Sequence, residues 1–354
     1  MVERPEQENQ KKMQNSDESS FESTATPFTA CDLPIDDQGR IYHLQITPDQ
    51  FAPDILLAGD PGRVEFIGSN LMRDLEFKHE HRGLVTLTGT AKITGERATI
   101  ISPVRTTVST SGMGTPSLEI IVNELVALNE IDFETRTRKS DFPRLNVIRL
   151  GSSGALQEST KLDTPIITTY AIGLDNTGLF YEAPHPDETC KRLEDEFGQV
   201  VNRTMSTSSR FYGMIHPYVS RAEPHLVSAL MEASKSLGVE TKTGLTVSCP
   251  GFFVPQGRIV SRFKPSFPEL DKIFSEFDPG LDGQRVENME MESSFLLHFL
   301  GGLGHWGASI CPAIANRQLE TFSSHYQDAM LGAGRVALLA LATLRNRYHD
   351  ARLS

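Results

Sequence analysis

NVIRLGSSGALQ, residues 146–157, runs an apolar strand pattern into a turn that sets two serines between two glycines. Its aliphatic and β-branched residues predict a strand buried on both faces, as inside a parallel sheet. Arg149 interrupts that run, and a guanidinium is costly there without a carboxylate or an anion beside it. Two readings stay open at this point: a structural ion pair, or a group that grips an anion. Ser152 and Ser153, flanked by Gly151 and Gly154, offer hydroxyl and amide donors at the strand's carboxyl end, where α/β sheets bind ligands.

Working outward, ILLA (55–58), VTLTG (85–89), ATIIS (98–102), PIITTY (165–170) and GLTVSC (244–249) carry the same short β signature. Helical patterns lie between them. PSLEIIVNELVALNE (116–130) sets Leu118, Ile121, Val122, Leu125 and Leu128 on one stripe, and similar stripes occupy 188–201, 223–238, 292–304 and 326–348. The alternation predicts a single α/β domain around a largely buried sheet. Residues 1–40, with 9 acidic and 4 basic side chains in a Gln/Asn/Ser/Glu-rich context, read as a disordered acidic tail, which leaves 41–354 as the domain. The charged run DFETRTRKSDFPR (132–144) reads as an exposed excursion without assignable chemistry.

The 354 residues include 34 Lys+Arg against 46 Asp+Glu, a net charge of −12, which argues against a nucleic-acid partner. No stretch approaches the roughly 20 apolar residues of a membrane helix, and MVERPEQENQKKM lacks the apolar centre of a secretory signal. Cys31, Cys190, Cys249 and Cys311 are scattered without a C-x-x-C pair, so reduced thiols and a cytoplasmic location are expected.

Three further segments hold candidate chemistry. In AGDPGRV (58–64), Gly59 closes a strand and Arg63 enters the next helix: an anion site, or a tight turn with a solvated arginine. In NMEMESS (288–294), Glu290 and Glu292 flank Met291; at strand spacing both carboxylates face one way, suited to two sugar hydroxyls, unless they only complement a helix dipole. GFFVPQGR (251–258) combines Phe252 and Phe253 with Gln256 and Arg258, a stacking face and hydrogen-bonding groups for a planar base, or a loop with a capping amide. STSGMGTPSLEI (109–120) is a small-residue turn opening a helix, readable as packing glycine. His79 and His81 lack a third ligand at zinc spacing, so no metal is expected. The P-loop and the G-x-S-x-G elbow are missing from the sequence, and the turn at 109–120 does not fit the G-x-G-x-x-G fingerprint.

In their order along the chain, together with YHLQI, HRG and ANRQ, these motifs resemble the nucleoside phosphorylase family, which includes uridine phosphorylases and hexameric purine nucleoside phosphorylases; the uridine branch fits best. The resemblance runs from about His43 to near the C-terminus. It implies a three-layer αβα fold with a central mixed, partly barrel-like sheet flanked by helices. It implies a phosphate site at Gly59, Arg63, Arg149 and Ser152, completed by Arg82 of a neighbouring subunit. Ribose would be held by Glu290, Met291 and Glu292 with His43 from the neighbour, and the base by Phe252, Gln256, Arg258 and Arg317. Arg63, Arg149, Gln256 and Arg258 would carry catalysis. Arg317 stands where the purine enzymes have an Asp that assists a purine leaving group, which favours a pyrimidine.

The implied reaction is phosphate-dependent cleavage of the N-glycosidic bond, uridine plus phosphate to uracil plus ribose 1-phosphate. No metal or organic cofactor is expected, only inorganic phosphate as cosubstrate. The implied partners are nucleoside, phosphate and further copies of the chain, as a dimer or a hexamer of dimers with shared sites. No nucleic acid or membrane is expected. The competing readings are a purine nucleoside phosphorylase, a nucleosidase using water, and a non-catalytic nucleoside sensor. Three positions depart from the pattern: Ser152 and Ser153 replace two threonines, Val254 and Pro255 replace Pro-Gly, and Gly83 replaces a glutamate that binds potassium in some relatives.

Overall fold

The computed structural model describes residues 26–92 and 104–350. Its first half runs β1 (Asp54–Ala58), α1 (Pro61–Leu71), β2 (Met72–His81), β3 (Leu84–Ala91), β4 (Arg105–Thr110), α2 (Thr115–Glu130), β5 (Ile131–Asp132), β6 (Thr137–Arg138), β7 (Asn146–Leu150) and β8 (Ser153–Ala155). There follow β9 (Pro165–Gly173), α3 (Glu188–Thr204), β10 (Tyr218–Arg221), α4 (Pro224–Leu237), β11 (Lys242–Ser248), α5 (Leu270–Glu276) and β12 (Val286–Glu290). The chain closes with α6 (Ser293–Gly302), β13 (Trp306–Asn316), β14 (Thr321–Phe322) and α7 (Tyr326–Asp350).

One sheet runs in the order β10-β9-β11-β12-β8-β13-β7-β1-β4-β3-β2. An additional antiparallel pairing of β9 with β13, Ile167 opposite Ile310, closes β9, β11, β12, β8 and β13 into a five-stranded mixed barrel. From it the strands β7, β1, β4, β3 and β2 extend as an arm. Along β1 the side chains alternate between two cores. Leu56 packs with Val64 and Ile67 of α1 and Val336 of α7, whereas Ile55 and Leu57 pack with Leu118 and Ile121 of α2. A third core sets Leu193 and Phe197 of α3 and Phe274 of α5 against Val247 and Val286 of the barrel. Helices thus cover both faces of the arm and the flank of the barrel, the architecture the resemblance implies.

ILLA, VTLTG, NVIRLG, PIITTY and GLTVSC fall on β1, β3, β7, β9 and β11, and the helical stripes on α2, α3, α4, α6 and α7. ATIIS lies outside the described residues. The acidic stretch needs a correction: residues 26–40, assigned by composition to the tail, are folded onto the body. Leu33 is buried in the core that α2 shares, Ile35 bridges to Ile41, and the Arg136 guanidinium donates to the carbonyls of Phe28, Thr29 and Leu33. The excursion 132–144 supplies the receiving surface, because β5 and β6 pair as a hairpin that carries Arg136. Two segments without evident purpose when read singly are therefore partners. No helix among the described residues is long and apolar enough to cross a membrane.

Candidate active site

The carboxyl ends of β1, β7 and β12 open into one cavity of about 360 Å³. At its first end, β1 turns into α1 through Gly59. Asp60 caps the helix by accepting the Arg63 amide at 2.9 Å, and Pro61 starts the first turn. A Cβ on Gly59 would stand 3.2 Å from the Gly112 carbonyl, so the turn packs tightly on the loop after β4. Gly59, Arg63, Arg149 and Ser152 line this end. Ser153 turns its hydroxyl toward the carbonyls of Cys311 and Pro312.

Arg149 answers the question its strand raises with a buried ion pair. It is buried; its Nη1 lies 2.9 Å from Glu290 Oε2, and its Nη2 pairs with Glu292 Oε2. Nη1 also donates to Cys311 Sγ at 3.2 Å, while Nε has no hydrogen-bond partner among the described residues. Burial opposes the charge, but Glu292 and Glu290 together outweigh it and hold the Arg149 pKa above its ordinary value. Arg63 donates to the Leu150 carbonyl at 3.2 Å. Burial, and then the neighbouring Arg149, hold its pKa below the ordinary value. Two crowded guanidinium groups therefore meet where an anion would relieve both.

The two glutamates are not equivalent. Glu290 ends β12 with its oxygens accepting from the amides of Glu292 and Ser293 and from Ser248 Oγ. That network, with Arg149, leaves Glu290 as the anchor of the arginine. Glu292 sits at the N-cap of α6, and its Oε1 accepts the Gly114 amide at 2.6 Å. Burial and the nearby Glu290 raise the Glu292 pKa, and Arg149 opposes them. Gly114, at φ 84°, belongs to the small-residue turn of 109–120, so that turn is part of the site. Met291 lines the cavity between the two acids.

At the other end, Phe252, Gln256 and Arg258 line the wall. A 3-10 turn over Val254–Gln256 ends at Gly257, φ 75°. Arg258 lies 4.0 Å over the Phe252 ring, and its Nη1 donates to Gln256 Oε1 at 2.7 Å. Burial, and then Arg317, lower the Arg258 pKa. Arg317 itself stands behind this wall instead of on it, donating from Nη2 to the Gln256 carbonyl at 3.2 Å and to Asp271 at 3.1 Å.

His43 and Arg82 form a separate cluster outside the cavity of their own chain. His81 and Leu84 pair across a two-residue hairpin whose central residues, Arg82 at φ 54° and Gly83 at φ 76°, have the type I′ conformation. Arg82 reaches from that tip to the Tyr42 hydroxyl at 2.8 Å; His81 Nδ1 donates to the His43 carbonyl, and His43 Nδ1 meets Glu124 at 2.8 Å. Ten of the thirteen residues singled out in the sequence thus share the cavity; His43, Arg82 and Arg317 do not line it. Gly114, Ser248 and Cys311 escape sequence reading because each touches the site from a distant segment.

The match to known proteins follows this geometry. A family model described as the phosphorylase superfamily matches residues 53–345. The uridine phosphorylase of Thermococcus kodakarensis is 28% identical over 321 residues, 88% of this chain and 91% of the relative. A DeoD-type purine nucleoside phosphorylase of Alkaliphilus metalliredigens is 35% identical, but over 36% of this chain and 46% of its own length. Among solved structures, a Trypanosoma brucei nucleoside phosphorylase described as showing uridine phosphorylase activity superposes with a TM-score of 0.74 at 27% identity, covering 88% of this chain and all of that one. With the barrel, its extended arm and a family match over most of its length, the chain belongs to the phosphorylase superfamily.

Proposed function

We propose that this chain is a pentosyltransferase of the uridine phosphorylase type, splitting uridine with inorganic phosphate into uracil and ribose 1-phosphate. One observation carries the reading: Arg63, Arg149, Glu292, Gln256 and Arg258 all line a single cavity. The relatives named above support the uridine assignment, since the purine enzyme matches only a part of the chain.

Phosphate lies against Arg63, Arg149 and Ser152, with Gly59 at the turn, and Glu292 accepts a ribose hydroxyl. The C1′–N1 bond breaks, its electron pair leaves with uracil, and a phosphate oxygen bonds C1′. Positive charge developing on the sugar meets the bound oxyanion, which also supplies proximity. Negative charge on the departing base spreads to its carbonyls, where the Gln256 amide and the Arg258 guanidinium donate, and the uracil anion takes its proton from solvent. Each preorganised donor of this kind is worth about 10²–10³ in rate. Phosphate is the cosubstrate and no cofactor takes part. His43 and Arg82, outside their own chain's cavity, serve the site of a second copy, so the working enzyme is a homo-oligomer. Its role is pyrimidine nucleoside salvage or catabolism in the cytoplasm.

The test is a panel of uridine, deoxyuridine, thymidine and inosine assayed with and without phosphate. Base release from uridine, faster than from inosine and only with phosphate, is expected. Inosine as the faster substrate, or phosphate-independent release of free ribose, would replace this function with another.

A further inference from the structure

The base-recognition turn is held from behind by an acid that the motifs leave out. Asp271, in α5, accepts from Arg317 Nη2 at 3.1 Å, and the same Nη2 donates to the Gln256 carbonyl at 3.2 Å. Both side chains of this pair are about one-fifth exposed, so solvent screens the pair only partly. The carboxylate also lies flat on the turn: a Cβ on Gly257 would stand 2.7 Å from Asp271 Oδ1. Charge adds to contact. Among the described residues Arg258 has no carboxylate partner of its own, and Arg317 opposes its charge while Asp271 favours it.

We propose that Asp271 is a positioning residue for base recognition, fixing Gln256 through Arg317 and cancelling the Arg317 charge so that Arg258 alone presents a free cation to the base. This deepens the uridine reading and rests on it. Because Asp271 touches neither the phosphate end nor the sugar acids, its loss acts on one substrate only. A merely structural ion pair would, when removed, weaken both.

The experiment measures kcat and the two KM values for wild type, Asp271→Ala and the near-isosteric Asp271→Asn. Asp271→Ala should raise the uridine KM about tenfold while the phosphate KM stays within about twofold. Asp271→Asn should give a smaller shift of the same kind. The isosteric Asn keeps the test readable if Ala impairs folding. A uridine KM unchanged in Asp271→Ala, or uridine and phosphate KM rising together in Asp271→Asn, overturns the role of Asp271 with the uridine reading intact. A wild-type protein without uridine turnover overturns both.

Discussion

Arg149 holds two buried carboxylates in place, and the proposed function also asks it to grip phosphate; these duties separate under substitution. Arg149→Ala should lower kcat/KM for phosphorolysis by at least about 10³-fold. The ion pairs to Glu290 and Glu292 add a structural cost: removing the cation strands two buried acids and should reduce stability by about 3–5 kcal/mol, read from denaturant midpoints. Near-normal turnover would remove Arg149 from the mechanism. Gly151→Ala tests the same group more gently. A Cβ there would stand 1.9 Å from Arg149 Nη1, with Cys311 Sγ close on the other side, so the guanidinium must shift. The phosphate KM should rise severalfold with the uridine KM less affected; equal effects on both would show that its placement is not specific to phosphate.

Between elements, the contact of α2 with the start of β13 sets an acid limit. His305 Nδ1 accepts the Leu145 amide, which leaves the proton on Nε2 to bond Glu130 at 2.8 Å. Burial, and then Arg144, hold the His305 pKa down to about 4 from 6.5. The folded pKa is the lower one, so the neutral form belongs to the fold. Its contribution is whole above about pH 6.5 and is lost as pH falls toward 4, about 3 kcal/mol in all. Stability measured at pH 5 and pH 7 should therefore differ by less in His305→Gln than in wild type; an unchanged difference would assign the acid sensitivity elsewhere. The same scale explains what the sequence discloses. Strands and helices with an unbroken local pattern, such as 116–130, are legible because burial repeats along them. The base wall is legible because residues 251–258 are contiguous. Barrel closure is not, since it rests on Ile167 meeting Ile310, and no local pattern encodes that register. Nor is the unequal standing of Glu290 and Glu292, which depends on Ser248 and Gly114 arriving from other strands and turns. The folding of segment 26–40 onto the body is not legible either, because its polar composition hides that one arginine in a distant hairpin donates to three of its carbonyls.

That clasp joins the N-terminal segment to the body of the molecule. Arg136→Ala leaves the Phe28 and Leu33 carbonyls without their side-chain donor, while the Thr29 carbonyl keeps the Leu33 amide, and should cost about 1–3 kcal/mol. Stability unchanged within error would make the clasp incidental. The placement of His43 and Arg82 makes a further claim about assembly. If Arg82 serves a second copy, inactive Arg82→Ala and Arg149→Ala chains refolded together should regain about a quarter of wild-type activity, because half the dimers are mixed and each holds one intact site. No recovery, in a mixture shown by an affinity tag on one of the two chains to exchange subunits, would confine each site to one chain. The central claim, that guanidinium groups and a base wall serve one reaction in one cavity, is tested most directly by following labelled phosphate. Incubated with uridine, the enzyme should place label in ribose 1-phosphate mole for mole with the uracil released. Uracil released without incorporation of label, or no uracil at all, would contradict it.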